Sequence, residues 1–505
     1  MATTSNSRLG ALGENTLDDI SADFVALGTQ TDGAGVPTGV LVDGAGSPFV
    51  PKTFGGNAVT VGIGGNYPDI TTATTVLGSR MKLWDTVNAT LFFAINGASP
   101  GLAWTAGTFN KARWGNTFVQ IGNGTRYFKI KSFRANAPQL ELWENYVGTN
   151  YIGLTTVELR FYHLDRITLM LLPGQHTAPG TGSTILDAHT LTPGFDVVGF
   201  GNESTMIAEN DSSPNFVFGN VNDNNFCNFR IAGTEAWGDA DSFGYIAADA
   251  WGGSEVILDG ITFSHLNNNT HSGGILGLPS INGGILRVRN SNIRTAKNPW
   301  LLSGGVAART NANTLVDISH SRIIPSPDTD SWGIDINAAA FAVQDAGTYK
   351  LNNVTISQPL DFFMAPLAQT YNDWGGIWVN AAAIVDINNT TIEQLNTSGG
   401  SQRTVGLTAT AAATINMRNS SIVSAGTTPI GIVNNGATIN LMGTDVDAAT
   451  GIINTTGTVN IRAGSRVKGS TNSINCAAGT VNVSGNADLI GATTGAGTIN
   501  LATAT

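Results

Sequence analysis

Five stretches in the last third of the chain share one frame: Ala413-Thr-Ile-Asn-Met417, Ala437-Thr-Ile-Asn-Leu441, Gly457-Thr-Val-Asn-Ile461, Gly479-Thr-Val-Asn-Val483 and Gly497-Thr-Ile-Asn-Leu501. Measured at Ile415, Ile439, Val459, Val481 and Ile499, they recur at spacings of 24, 20, 22 and 18 residues. Alternation of apolar and polar residues within each is the period-two signature of a half-buried strand. Ile439 and Leu441, like Val459 and Ile461, then share one interior, and Asn440, Asn460, Asn482 and Asn500 face outward.

The same apolar-x-apolar strand, followed after a short interval by a second strand, extends upstream in longer units. Val256-Ile-Leu258 precedes Ile261-Thr-Phe263, Leu286-Arg-Val288 precedes Ile293, Val316-Asp-Ile318 precedes Ile323, Leu351 precedes Val354-Thr-Ile356, and Val385-Asp-Ile387 precedes Ile392. Anchored at Leu258, Val288, Ile318, Leu351, Ile387 and Met417, these units are 30, 30, 33, 36 and 30 residues long. Short strands at such periods, punctuated by Gly and Asn, predict a coil of stacked parallel strands rather than a hairpin-built sandwich. A leucine-rich horseshoe lacks its L-x-x-L-x-L-x-x-N frame here, and no four-strand propeller signature recurs. Corner residues such as Asn388 and Asn389 are expected to stack as polar ladders.

Composition agrees. Of 505 residues only 12% are charged, 41% are apolar and 62 are glycine, against ~25% charged in ordinary globular chains. The apolar fraction suffices for a core, which argues against wholesale disorder. Bundles and coiled coils are excluded by the missing heptads and the weight of Gly, Asn and Thr. With 25 basic and 36 acidic residues, the net charge of −11 predicts no broad binding to nucleic acid or anionic membranes. No stretch approaches the ~18–20 apolar residues of a membrane span, and Met1 to Arg8 carries no apolar segment of the kind Sec export needs. Cys227 and Cys476 read as buried apolar fillers; about ten turns at ~4.8 Å separate them, too far for a disulfide.

Three stretches carry a resemblance. Gly62-Ile-Gly-Gly-Asn-Tyr-Pro-Asp-Ile70, Ile167-Thr-Leu-Met-Leu-Leu-Pro-Gly-Gln-His-Thr177 and Val197-Val-Gly-Phe-Gly-Asn-Glu-Ser-Thr205 resemble the opening turns of pectin-lyase-like right-handed parallel β-helix proteins. The likeness covers about residues 56–78 and 166–505, and its motifs are architectural. That family includes pectate and pectin lyases, pectin methylesterases, rhamnogalacturonases and bacteriophage tailspikes. The methylesterase motifs Gln-Asp-Thr-Leu and Gly-x-x-Asp-Phe-Ile-Phe are absent, Gly333-Ile-Asp335-Ile being the nearest fragment, and no convincing calcium-ligand and arginine set of the lyase kind is found. The chain most resembles the phage branch. The resemblance implies a homotrimeric virion protein, assembled in the host cytoplasm, that contacts other virion subunits through its N-terminal arm and host-surface polysaccharide through the coil.

The expected fold is all-β: a right-handed parallel β-helix (solenoid) with an N-terminal arm and an inserted antiparallel β domain. Residues 1–55 form the arm, 56–78 the first turn, 79–165 the insertion and 166–505 the coil, with shorter rungs from about 413. The insertion is the most aromatic part of the chain, and Tyr127-Phe-Lys-Ile-Lys-Ser-Phe133 alternates as a strand. Its Lys111, Arg113, Arg126, Lys129, Lys131 and Arg134, with no acid among them, are candidates for an acidic partner, read against a solvated strand face.

Motifs for chemistry are sparse. No G-x-S-x-G occurs, the six histidines lack metal-binding spacing, and no cofactor or metal is expected. Glycoside hydrolysis needs two carboxylates astride a sugar bond, for which Asp328, Asp330 and Asp335 are the acid/base candidates. Beside acidic residues stand Trp237, Trp251, Trp332, Trp374 and Trp378, candidates for stacking on sugar rings. The function expected is a glycan-binding tailspike or host-contacting adhesin. The alternatives are a capsid decoration or tail-assembly protein without host contact, and a polysaccharide depolymerase.

Overall fold

The computed structural model describes residues 28–31, 37–42, 57–94, 101–104, 117–124, 126–134, 139–142, 146, 149, 151–177, 189–190, 193–208, 218–221, 223–233, 246–250, 255–265, 275–279, 284–295, 301–302, 315–325, 338–343, 346–357, 373–395, 403–410, 412–426, 428–462 and 464–502. One parallel sheet system winds through 27 strands, which makes the main body a parallel β-helix. The anchors read from sequence are true register partners. Leu258, Val288, Ile318, Leu351, Ile387, Met417, Leu441, Ile461, Val483 and Leu501 stack in one column across successive parallel pairings. Nine of the ten are buried, Leu501 being the exposed one; a buried residue of this size contributes ~1.5–3 kcal/mol.

Seven successive laps turn their first corner on a single residue in the left-handed region. Gly260 (φ 66°), Asn290 (49°), His320 (48°), Asn353 (55°), Asn389 (48°), Asn419 (48°) and Gly443 (59°) form that column. Glycine and asparagine fill six of the seven places because a Cβ is penalised there and Asn tolerates it best. The next residue turns a hydroxyl inward on many laps. Ser291 Oγ donates to Arg289 O at 2.7 Å and accepts from Ile261 N at 3.2 Å, and Ser420 and Thr444 repeat the theme. These hydroxyls occupy backbone groups that a one-residue corner would leave unpaired inside the coil.

The short laps close through a thinner section. A Cβ on Gly431 would stand 2.3 Å from Val446 Cγ1 and 2.5 Å from Gly451 O, and one on Gly406 would stand 2.2 Å from Ile422 Cγ2. Glycine here lets the third strand of a lap approach the second. At the following corner Asn434 and Asn454 are wholly buried. Asn434 Nδ2 donates to Ala437 O (3.0 Å) and to Asn454 Oδ1 (2.9 Å), and Cys476 takes the third place in this column, its Sγ donating to Gly479 O at 3.2 Å. Cys476 is wholly buried in the coil's core, as expected of a filler, and its thiol also joins this polar row. Cys227 is only half-buried, which corrects the expectation for it, and both thiols are free.

At the start of the coil, strand Asn57–Val61 pairs in parallel with Ile167–Leu171. Between them lies the helix Ile70–Leu77, capped by Asp69, whose Oδ1 accepts from Thr72 N at 2.7 Å. Ile70 and Ala73 join the coil's core, so the helix helps to cover its first turn. The chain then enters a closed antiparallel barrel of strands Met81–Ala94, Gly101–Trp104, Thr117–Ile121, Phe128–Arg134, Gln139–Leu142 and Tyr151–Leu164. Val119, Phe128, Leu140, Leu159 and Phe161 form its separate core. Within 1–55, Gly28–Thr31 and Pro37–Val42 make an antiparallel hairpin. Among the described residues no helix is long and apolar enough to cross a membrane.

Candidate functional site

The outer face of the first strand in each lap is the most regular surface of the molecule. Its central outward column reads Glu255 (level with Ile285 on the next lap), and two residues on, Ile257, Arg287, Asp317, Lys350, Asp386, Asn416, Asn440, Asn460, Asn482 and Asn500. Charges of alternating sign occupy the long laps. Arg287 bonds both the Glu255 carboxylate and, at 2.8 Å, Asp317 Oδ2; these partners, Glu255 first, raise its pKa. From Asn416 onward the column becomes an amide row. Asn416 Nδ2 donates to Asp386 Oδ1 (2.9 Å), Asn440 to Asn416 (2.9 Å), Asn460 to Asn440 (2.8 Å), Asn482 to Asn460 (2.8 Å) and Asn500 to Asn482 (2.8 Å). Beside it runs a threonine column, Thr414, Thr438, Thr458, Thr480 and Thr498.

Within the row each interior amide uses one N–H and one oxygen lone pair, which leaves a second N–H and a second lone pair for a ligand. The row fixes the amides before any ligand arrives, so little side-chain entropy remains to be lost. A strip of fixed amides and hydroxyls at ~4.8 Å intervals suits a polyhydroxylated chain lying along the rod.

The corner stacking expected at Asn388 and Asn389 is present: Asn388 Nδ2 donates to Asn352 Oδ1 at 3.0 Å, and Asn389 stands in the corner column with Asn353 and Asn419. The longest amide ladder, however, runs on the strand face.

Charge is buried at the root of the barrel. Arg80 and Asp165, which flank the insertion, are joined by a side-chain ion pair and by Asp165 N donating to Arg80 O at 2.9 Å. Lys129 Nζ, on the barrel, meets Asp223 Oδ1 of the coil at 3.0 Å, both side chains being nearly inaccessible. Arg166 Nη1 bonds Asp196 Oδ1 at 2.7 Å. Burial nevertheless pushes Asp196 up to about 6 against the pull of Arg166. Cys227 is pushed up to about 12 by burial and by Asp259 and Asp196, so its thiol stays protonated and is a poor nucleophile. Burial lowers the pKa of His176, whose Nε2 lies 2.7 Å from Leu172 O.

Asp328, Asp330, Asp335, Trp237, Trp251, Trp332, Lys111 and Arg113 lie outside the described residues. Trp374 and Trp378 share the strand Asp373–Val379; Trp378 is half-buried, between the core residues Ile377 and Val379. Arg134 closes the strand Phe128–Arg134. Of the other basic candidates, Lys131 Nζ pairs with Glu141 at 2.8 Å and the Arg126 guanidinium lies 5.7 Å from the Phe128 ring centre. Lys129 is corrected outright, because its charge is spent inside the molecule on Asp223. The amide row itself was partly legible, since Asn recurs in the T-x-N frame. The Asp196, Asp223 and Lys129 cluster had no such signal. Among the described residues no group of three or more His, Cys, Asp or Glu side chains is placed to hold a metal.

No family model matches the chain, and no curated protein matches it. Solved structures with some similarity include the catalytic unit of a thermostable GH87 α-1,3-glucanase from Streptomyces thermodiastaticus, at 12% identity over 83% of this chain and 86% of that one, with a TM-score of 0.27. Pectate lyase Pel9A is similar at 12% identity over 67% of this chain and 70% of that one, TM-score 0.26. A GH87 α-1,3-glucanase catalytic domain in complex with tetrasaccharides is similar at 10% identity over 84% and 89%, TM-score 0.23. At this level of similarity the neighbours bear on neither chemistry nor substrate.

Proposed function

We propose that the protein is a glycan-contacting rod, a host-contacting adhesin of the tailspike kind that assembles as a homotrimer in a bacteriophage virion. The observation that carries the reading is the unbroken uncharged strip from Thr414 and Asn416 to Thr498 and Asn500, with its amides already locked in a row. Fixed neutral donors and acceptors favour hydroxyl-rich ligands, because no charge has to be desolvated on binding. The virion setting and the trimer rest on the sequence resemblance to the phage branch, and the N-terminal arm, residues 1–55, is the part read as docking on other virion subunits.

The test is incubation of purified protein with host-surface polysaccharide, followed by a binding measurement and an assay for new reducing or unsaturated ends. Binding without sugar release is expected. Release would shift the assignment to a depolymerase. Failure to bind any host polysaccharide would shift it to a capsid decoration or tail-assembly protein. Sedimentation equilibrium should return three chains per particle.

A further inference from the structure

Next to the amide row, where the strands Thr414–Arg418 and Ile430–Met442 end, a shallow depression is lined by Asn416, Arg418, Asn440, Met442 and Arg462, among others. Arg418 stands in register with Met442, and Arg462 N donates to Leu441 O at 3.0 Å, which brings Arg462 to the lap beneath. The two arginines are therefore two laps apart, ~9–10 Å along the rod axis. Between them Met442 is 43% exposed. Both arginines are exposed as well.

These guanidiniums differ from their neighbours. Arg287 holds two carboxylates, Arg466 reaches Asp445 at 3.4 Å and Lys468 reaches Asp447 at 2.8 Å. Both arginines are held through their backbones, but among the described residues neither the Arg418 nor the Arg462 guanidinium has a hydrogen-bonded or ionic partner, on a chain of net charge −11. A guanidinium fork takes a carboxylate or a phosphate in two parallel bonds. We propose that Arg418 and Arg462 together bind two successive anionic groups of a linear acidic glycan running along the rod, with sugar CH groups resting on Met442 and hydroxyls meeting Asn416 and Asn440. The inference rests on the adhesin reading and narrows its ligand to a chain bearing carboxylate or phosphate at regular intervals. Nucleic acid fits the depression less well, since no aromatic side chain lines it for base stacking.

Titration calorimetry of the full chain with three probes tests this: hyaluronan (a carboxylate on every second sugar), polyglycerol phosphate and neutral dextran, each at low and high salt. Wild type should bind at least one anionic probe more tightly than dextran, and that binding should weaken with salt. The carboxylate and phosphate arms identify which group the arginines take. Arg418→Gln combined with Arg462→Gln should lower that affinity about tenfold and flatten its salt dependence, with the unfolding midpoint unchanged, whereas Lys468→Gln should bind like wild type. Anionic binding unaffected by the double substitution, dextran bound as tightly as either polyanion, or no binding to either polyanion would each overturn the proposal. If dextran or host polysaccharide still binds without cleavage, the adhesin reading survives that loss. Sugar release with the arginine effect intact would instead overturn the adhesin reading and leave this site standing.

Discussion

One column on the outer face is built in two ways. Over the long laps, Arg287, Asp317, Lys350 and Asp386 alternate in sign; over the short laps, Asn416 to Asn500 repeat a single neutral group. Parallel in-register stacking puts like positions on top of one another, so a repeated charge would repel itself on every lap. Alternation solves this by compensation, lap against lap, and needs the sequence to change from lap to lap. The amide solves it by being donor and acceptor at once, which allows the sequence to repeat. That is why only the short laps display an obvious T-x-N frame.

The largest test asks whether the two halves share one dry interior. Ile318→Asp in the charged half and Ile439→Asp in the amide half each bury an unpaired carboxylate at a wholly inaccessible position and should each cost about 3–5 kcal/mol in chemical denaturation. Asn440→Asp, one residue along and facing out, should cost far less. A mild effect at either isoleucine would break the shared interior.

A second test uses pH at the upstream end, where charge is buried. Asp196 is raised from 3.8 to about 6 in the folded protein. Its contribution to stability is therefore fully present below pH ~4 and lost as pH rises through ~6, a change of about 3 kcal/mol by linkage. Asp196→Asn should flatten that part of the stability curve between pH 4 and 7, and an unchanged curve would refute the assignment.

Smaller effects separate the two modes of stacking directly. Arg287→Met strands Glu255 and Asp317 and should cost roughly 1–2 kcal/mol, diminishing as salt is added. Asn460→Ala interrupts the amide row and should cost about 0.5–1 kcal/mol at any salt concentration. Equal salt sensitivity of the two would erase the distinction. Cys476→Asn, which restores the residue found at Asn434 and Asn454, should fall within about 1 kcal/mol of wild type by thermal unfolding.

The coil was legible because inward residues recur in a frame that stacking converts into register, from Leu258 through Leu501. The helix Ile70–Leu77 was not, since its threonines are poor helix formers and only the Asp69 cap marks it; packing of Ile70 and Ala73 on the first turn supplies what propensity lacks. Barrel closure was equally hidden, because alternation in Tyr127 to Phe133 announces a strand but not its neighbours. The site shows the same limit. Lys129 looked like surface charge because its partner, Asp223, is 94 positions away, and the sequence around Asp328 and Trp332 carries no period that fixes their surroundings.

The amide row also has a direction. Every Nδ2–H in it points toward the previous lap and every Oδ1 toward the next, so the small side-chain dipoles add along the rod as peptide dipoles add along a helix. Asp386, accepting from Asn416, puts a carboxylate at the positive head of that file. The amide row is thus electrically polarised without itself carrying a net charge from Asn416 to Asn500, and a polymer settling on it meets a surface whose two directions of travel are not equivalent.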